Sequence, residues 1–172
     1  MEKRYTGGAH VYGDHVDTDR IIPGKYTKTL DLNSLASHVL EDLDPDFRQR
    51  MTPGNILVGG DNFGCGSSRE QAPIALKVAG VSVVVARYFA RIFYRNAVNI
   101  GLPVVEAPTL IAATGDRLSV DLVAGTICNE TRGDTVSFSP MPPVMLSILE
   151  AGGLVPFMRQ QGGYNVETSH VR

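Results

Sequence analysis

The scarcities of this 172-residue chain already restrict what it can do. Its two cysteines, Cys65 and Cys128, fall short of the three or four thiolates that a self-contained iron–sulfur or zinc site uses. No run approaches the ~20 apolar residues of a membrane-spanning helix, and the amino terminus lacks an apolar signal core. The expected setting is therefore the cytoplasm, with no membrane partner. Neither sign of charge dominates: 16 Lys and Arg stand against 18 Asp and Glu, a net of −2. That balance leaves nucleic acid without electrostatic support as a partner. The G-x-x-x-x-G-K-[ST] and G-x-G-x-x-G phosphate loops are missing, and so is the G-x-S-x-G turn of serine hydrolases. The four histidines, His10, His15, His38 and His170, lie in no recognisable triad context.

What is present suits one compact domain spanning 1–172, since 43% of the residues are apolar and the length exceeds what a core needs to hold without cross-links. "HVYGDHVDTDRIIPG" reads as a short strand, an Asp-rich turn and a break at Pro23-Gly24. "DLNSLASHVLEDLD" places Leu32, Leu35, Ala36, Val39, Leu40 and Leu43 at helical spacing behind a capping Asp31, which predicts a surface helix closed by Pro45. "NILVGG", the glycine turn after it and "APIALKVAG" read as strand, turn and helix. "VSVVVA" then continues as a strand covered on both faces. The next helix puts Phe89, Ile92, Phe93, Ala97 and Ile100 on one face and hands over to the strand "LPVVEA". Two successive β–α–β units imply a parallel sheet. After Pro108 the texture becomes an antiparallel meander, then a last helix "PVMLSILEAG". A polar tail from about residue 160 is expected to be mobile.

The densest local signal is "GDNFGCGSSRE", residues 60–70. Ser67 and Glu70 fit an S-x-x-E capping box at a helix start. That reading leaves unexplained the second serine, Arg69, and Pro73, whose ring nitrogen cannot donate inside a helix that began at Ser67. An anion site is the alternative, because glycine amides and a helix amino terminus attract carboxylate and Arg69 adds charge. Cys65 shows no neighbouring base and reads as a packed residue, not a nucleophile.

"DHVDTDRIIPGKY", "GDNFGCGSSREQAPIAL" and "VVVARYFARIFYRNAVNIGLPVVE", in that order, resemble the free-standing swivel domains of the aconitase superfamily, the small subunits of its dehydratases above all. The resemblance covers about residues 8 to 107 and implies an α/β fold: a three-layer β/β/α swivelling domain. It implies a hydro-lyase half-site, active only with a large subunit that carries the [4Fe–4S] cluster this chain cannot ligate. The substrate would be a small hydroxy di- or tricarboxylate: isopropylmalate in leucine biosynthesis first, homoaconitate or 2,3-dimethylmalate as alternatives. A non-catalytic carboxylate-binding module is the competing function.

By the same resemblance Ser67 is the general base that moves a proton beside a carboxylate. Ser68 and Arg69 bind the substrate carboxylates, and Asp19 organises the hydrogen bonds around them. The chemistry is demanding: a helix amino terminus supplies at most ~2 kcal/mol, about 1.5 pKa units, too little to ionise a serine by itself. A fixed guanidinium and a dry site closed by a partner add to it. Asp14, Asp17 and Asp19 space like cation ligands, but the glycine and distal glutamate of a calcium loop are missing. "GKYTKTL" stands where the family meets the substrate's variable group. Lys28 there either meets an extra carboxylate or points to water, as exposed lysines do.

Overall fold

The computed structural model describes residues 3–162. The chain alternates strands and helices up to β4: β1 Arg4–Val11, α1 Thr18–Ile21, α2 Leu32–Ser37, α3 Phe47–Arg50, β2 Ile56–Gly59, α4 Gln71–Ala79, β3 Val83–Ala86, α5 Arg91–Asn99 and β4 Val104–Glu106. It then runs through β5 Arg117–Asp121, β6 Thr126–Asn129 and β7 Asp134–Ser137 to α6 Pro143–Glu150 and α7 Leu154–Gln160.

All seven strands join one mixed sheet in the order β4-β3-β2-β1-β5-β6-β7. β1 through β4 pair in parallel, whereas β1 pairs antiparallel with β5 and the meander continues to β7. The meander is the second β layer of the three-layer expectation. It is continuous with the first because β1 bonds on both of its edges, Ala9 to Ile56 on one side and Gly8 to Arg117 on the other.

Side chains of a strand alternate between faces, and here each face has its own core. Ile56, Val58, Val83, Val85 and Val105 pack with Leu118, Val120 and Ile127 of the meander. Leu57, Val84 and Val104 point the other way, into Leu76, Phe93, Ala97 and the residues of α2. The sheet therefore curls into a half-barrel whose parallel half lies between the meander and the helices, giving the three layers β/β/α. The all-buried run of β3 follows from that sandwiching.

Three local expectations need correction. The helix foreseen from Asp31 to Leu43 stops at Ser37, although Asp31 does cap it by accepting from the Asn33 amide at 3.0 Å. Beyond it Leu40 turns left-handed, at φ 58°, and gives its amide to the Ile21 carbonyl at 2.8 Å, so the helix cannot continue. Ile92, placed on the buried face of α5, is 53% exposed, while Phe93 and Ala97 are buried. The helix α7 was not anticipated; it extends order to Gln160, and residues 163–172, most of the tail expected to be mobile, lie outside the described residues.

Candidate active site

Two loops leave the carboxyl ends of neighbouring parallel strands, β1 into α1 and β2 into α4. Loops at such ends are where open α/β sheets bind ligands. Main-chain bonds knit them together: His15 N–H to Asp61 O at 2.8 Å, Gly64 N–H to Val16 O at 2.7 Å and Thr18 N–H to Cys65 O at 2.9 Å. The loop after β3 joins through Phe63 N–H to Tyr88 O at 3.0 Å and Ala90 N–H to Phe63 O at 2.9 Å. The glycines answer to this crowding. A side chain at Gly64, φ 80°, would collide with the Phe93 ring, and one at Gly60 with the Asp14 carboxylate. That carboxylate accepts from the Asp61 amide at 2.8 Å.

The serine turn lies on this platform. Ser67 and Ser68 are exposed and Arg69 is half-buried. The capping box is not formed: α4 begins at Gln71, with Glu70 as an N-cap that makes no side-chain bond, and Pro73 sits in the first turn, where its missing N–H costs nothing. The Ser67 carbonyl instead accepts from the Arg69 amide at 2.8 Å and from the Thr18 hydroxyl at 3.1 Å. Thr18 Oγ1 is also 3.2 Å from Ser67 Oγ. Thr18 itself is 2% exposed. A buried hydroxyl with one proton and two oxygen neighbours can serve either the carbonyl or the serine oxygen.

Arg69 bends back over the α1 loop. Its guanidinium pairs with the Asp19 carboxylate and lies against Gly24, where an added Cβ would be 2.9 Å from one of its nitrogens. Asp19 remains 65% exposed, so one face of the pair is open.

The structure thus brings Ser67, Arg69 and Asp19 into one place, with Ser68 exposed beside Ser67 on the same turn. Lys28 is exposed, beyond the 3₁₀ turn Gly24–Tyr26, and makes no hydrogen bond or ion pair among the described residues. Thr18 went unnoticed in the sequence; its signal was its place between Asp17 and Asp19. The three aspartates do separate work: Asp14 holds the Asp61 amide, Asp17 caps α1 through the Arg20 amide, and Asp19 holds Arg69. Burial pushes the Cys65 thiol up, and the Asp17 charge adds to the rise, which leaves it a poor thiolate. Cys128 is on β6, opposite Ser119 and Thr135. Among the described residues no three His, Cys, Asp or Glu side chains are placed to hold a metal, and no helix is long and apolar enough to cross a membrane. The described residues, with Cys65 and Cys128 as the two cysteines of the sequence, do not offer the thiolate set of an iron–sulfur cluster.

A mixed half-barrel that presents a serine turn at the ends of its parallel strands is the fold of the aconitase carboxyl-terminal domain, and the model of that domain matches residues 39–109. A 3-isopropylmalate dehydratase small subunit of Caldicellulosiruptor bescii is 54% identical over 157 residues, covering 90% of this chain and 95% of that protein. A methanogen homoaconitase small subunit of Methanothermobacter thermautotrophicus is 55% identical over 155 residues, with 90% and 91% covered. The crystal structure of a 3-isopropylmalate dehydratase from Methanocaldococcus jannaschii superposes with a TM-score of 0.88 at 43% identity, covering 92% of this chain and 95% of that one. The chain belongs to the family of 3-isopropylmalate dehydratase small subunits.

Proposed function

We propose that the chain is a single-domain cytoplasmic subunit that completes the active site of a two-subunit hydro-lyase, isomerising 2-isopropylmalate to 3-isopropylmalate by dehydration and rehydration. The observation that carries this reading is the exposed Ser67 hydroxyl held 3.2 Å from the buried Thr18 hydroxyl, on the turn that also carries Arg69. In dehydration Ser67 Oγ, as the alkoxide, takes the proton from the carbon beside a carboxylate, and the resulting hydroxyl gives a proton back on rehydration. The electron pair left behind forms the double bond as the hydroxyl departs from the neighbouring carbon. Returning water with the opposite placement of proton and hydroxyl gives the isomer. Thr18 turns its proton from the Ser67 carbonyl to Oγ and so stabilises the alkoxide that accepts the substrate proton. Arg69, steadied by Asp19, and Ser68 hold the substrate carboxylates. An iron–sulfur cluster on the large subunit would supply the Lewis acid for the departing hydroxyl.

A homoaconitate-type substrate is the second reading, supported by an exposed cation, Lys28, one turn beyond the Gly24 that touches Arg69. The test is reconstitution. The chain, purified anaerobically with its cysteine-bearing large subunit, is assayed against several 2-hydroxy di- and tricarboxylates. Activity is expected only from the mixture, highest with isopropylmalate. An isolated chain that carries a stoichiometric cluster and turns over alone would overturn the two-subunit reading.

A further inference from the structure

The segment that closes over Arg69 is held from behind by groups outside the site described so far. The Gly24–Lys28 segment is one 3₁₀ turn, Gly24–Tyr26, and the two residues after it, fixed internally by Tyr26 N–H to Pro23 O at 3.0 Å and by the Thr27 hydroxyl to Gly24 O at 2.8 Å. So short a turn has little hold on the rest of the fold. Its anchor is lateral. The Tyr26 ring lies flat on the His38 imidazole, with centroids 3.7 Å apart and planes within 2°. His38 Nδ1 is 2.8 Å from Glu41 Oε2, and the Lys25 ammonium is 3.9 Å from the other carboxylate oxygen. Lys25 Nζ also stands 5.0 Å from the centre of the Tyr26 ring. Burial alone would raise the Glu41 carboxyl, but the hydrogen bond with His38 helps to outweigh it and holds the group below its ordinary value. One carboxylate thus gathers His38 and Lys25, and His38 carries the Tyr26 ring.

The base of this arrangement is rigid. Leu40, between His38 and Glu41, is fully buried and left-handed, a conformation a leucine keeps only where its surroundings over-determine it. Its amide is bonded to Ile21 O, the last residue of α1. The helix that presents Thr18 to Ser67 and Asp19 to Arg69 is therefore the helix to which the His38–Glu41 turn is tied.

We propose that His38 and Glu41 are positioning residues: the Tyr26–His38 stack and the Glu41 carboxylate clamp the Gly24–Lys28 segment against the Arg69 guanidinium, and so hold Arg69 where it meets a substrate carboxylate. The effect on substrate rests on the role given to Arg69 above. The clamp itself does not, and it predicts a local readout in the full chain without substrate.

Hydrogen–deuterium exchange of the full chain is the first measurement. His38→Ala should speed exchange of the Tyr26 and Thr27 amides by about tenfold, the change that removal of about 1.4 kcal/mol of local restraint produces. The amides of β2 and β3 should keep their parental rates. His38→Phe, which keeps an aromatic face for Tyr26, should stay within about threefold of the parent, and Glu41→Gln should fall between the two variants. In the reconstituted complex His38→Ala should raise KM about tenfold with kcat within about twofold, and His38→Phe should recover most of that loss. Unchanged exchange at Tyr26 and Thr27 in His38→Ala would overturn the clamp. So would equal acceleration across the sheet, since that is general destabilisation. A KM at the parental value beside a loosened segment would show that the clamp does not act on Arg69. A parent complex inactive towards every hydroxy di- and tricarboxylate would instead remove the dehydratase reading, and the exchange data would still decide the clamp.

Discussion

Two aspartate–arginine pairs occupy opposite halves of the sheet, and they are built for different ends. In the meander half, Asp116 is 8% exposed, and a single carboxylate oxygen accepts from Arg132 Nε at 2.7 Å, Asn129 Nδ2 at 2.9 Å and the Ala113 amide at 2.9 Å. Asn129 Oδ1 in turn accepts from the Arg132 amide at 3.2 Å, which closes the network. The hydrogen bond from Arg132 leads the groups that lower the Asp116 carboxyl to about 2. In the parallel half, Asp19 has Arg69 as its partner and keeps most of its surface. The first carboxylate is buried and held by three donors on one oxygen; the second pair has an open side. Burial within a closed network marks the structural pair, and exposure beside an exposed serine marks the pair that can receive a ligand.

The widest separation of the two halves is expected from Ser67→Ala. Loss of the proposed proton-transfer group should lower kcat of the reconstituted complex by about a thousandfold, with the melting temperature of the subunit and the assembly with its partner unchanged. Activity within a few-fold of the parent would leave Ser67 as a turn residue only. Thr18→Val comes next. Removing the hydroxyl that serves Ser67 should cost about tenfold in kcat, while Thr18→Ser should retain most of the rate. An equal loss in both would point to packing of the methyl group instead.

In the meander the readout changes from rate to stability. The folded-state carboxyl of Asp116 lies near 2 against an ordinary 3.8, so its contribution is complete above about pH 4 and is lost as the pH falls from there towards 2. Asp116→Asn should lower the melting temperature at neutral pH and flatten the stability profile across that acid window, with activity per folded molecule unchanged. A profile with the parental slope would show that another group governs the acid limb. The smallest effect is expected at Lys28. The parent should prefer 3-isopropylmalate over homoaconitate, and Lys28→Val should change kcat/KM for either by less than about threefold, as for a solvated surface cation. A parental preference for homoaconitate that vanishes in the variant would bring Lys28 into the site.

Where the chain's own periodicity set the structure, the sequence was readable. The apolar run of β3, the glycine that ends α4 and the alternation of β5 are local signals, and each element formed as they imply. The misses are places where a tertiary contact outbid a local one. α2 stops short because the Ile21 carbonyl takes the Leu40 amide, and nothing within residues 31–43 announces that competition. α7 carries Pro156 in its first turn and follows two glycines, so it reads as a loop until it packs against α5 and α6. At the site, Ser67, Ser68, Arg69 and Asp19 were legible as motif residues. Thr18, His38 and Glu41 were not, because their partners lie across the β1–β2 pairing or on the far side of a turn.

β1 carries a last consequence, one of timing. As the chain leaves the ribosome, its first strand can take its parallel partner once residues 56–58 have emerged, but its other edge stays vacant until residues 117–121 arrive. The entropic charge for closing that longer loop is slight, since each doubling of length adds only about 0.6 kcal/mol. The exposure is more serious: for over half of synthesis an unpaired strand edge waits in solution, open to pairing with another nascent chain. The amino-terminal strand is thus where expression conditions, slower translation or a holding chaperone should matter most to the yield of this subunit.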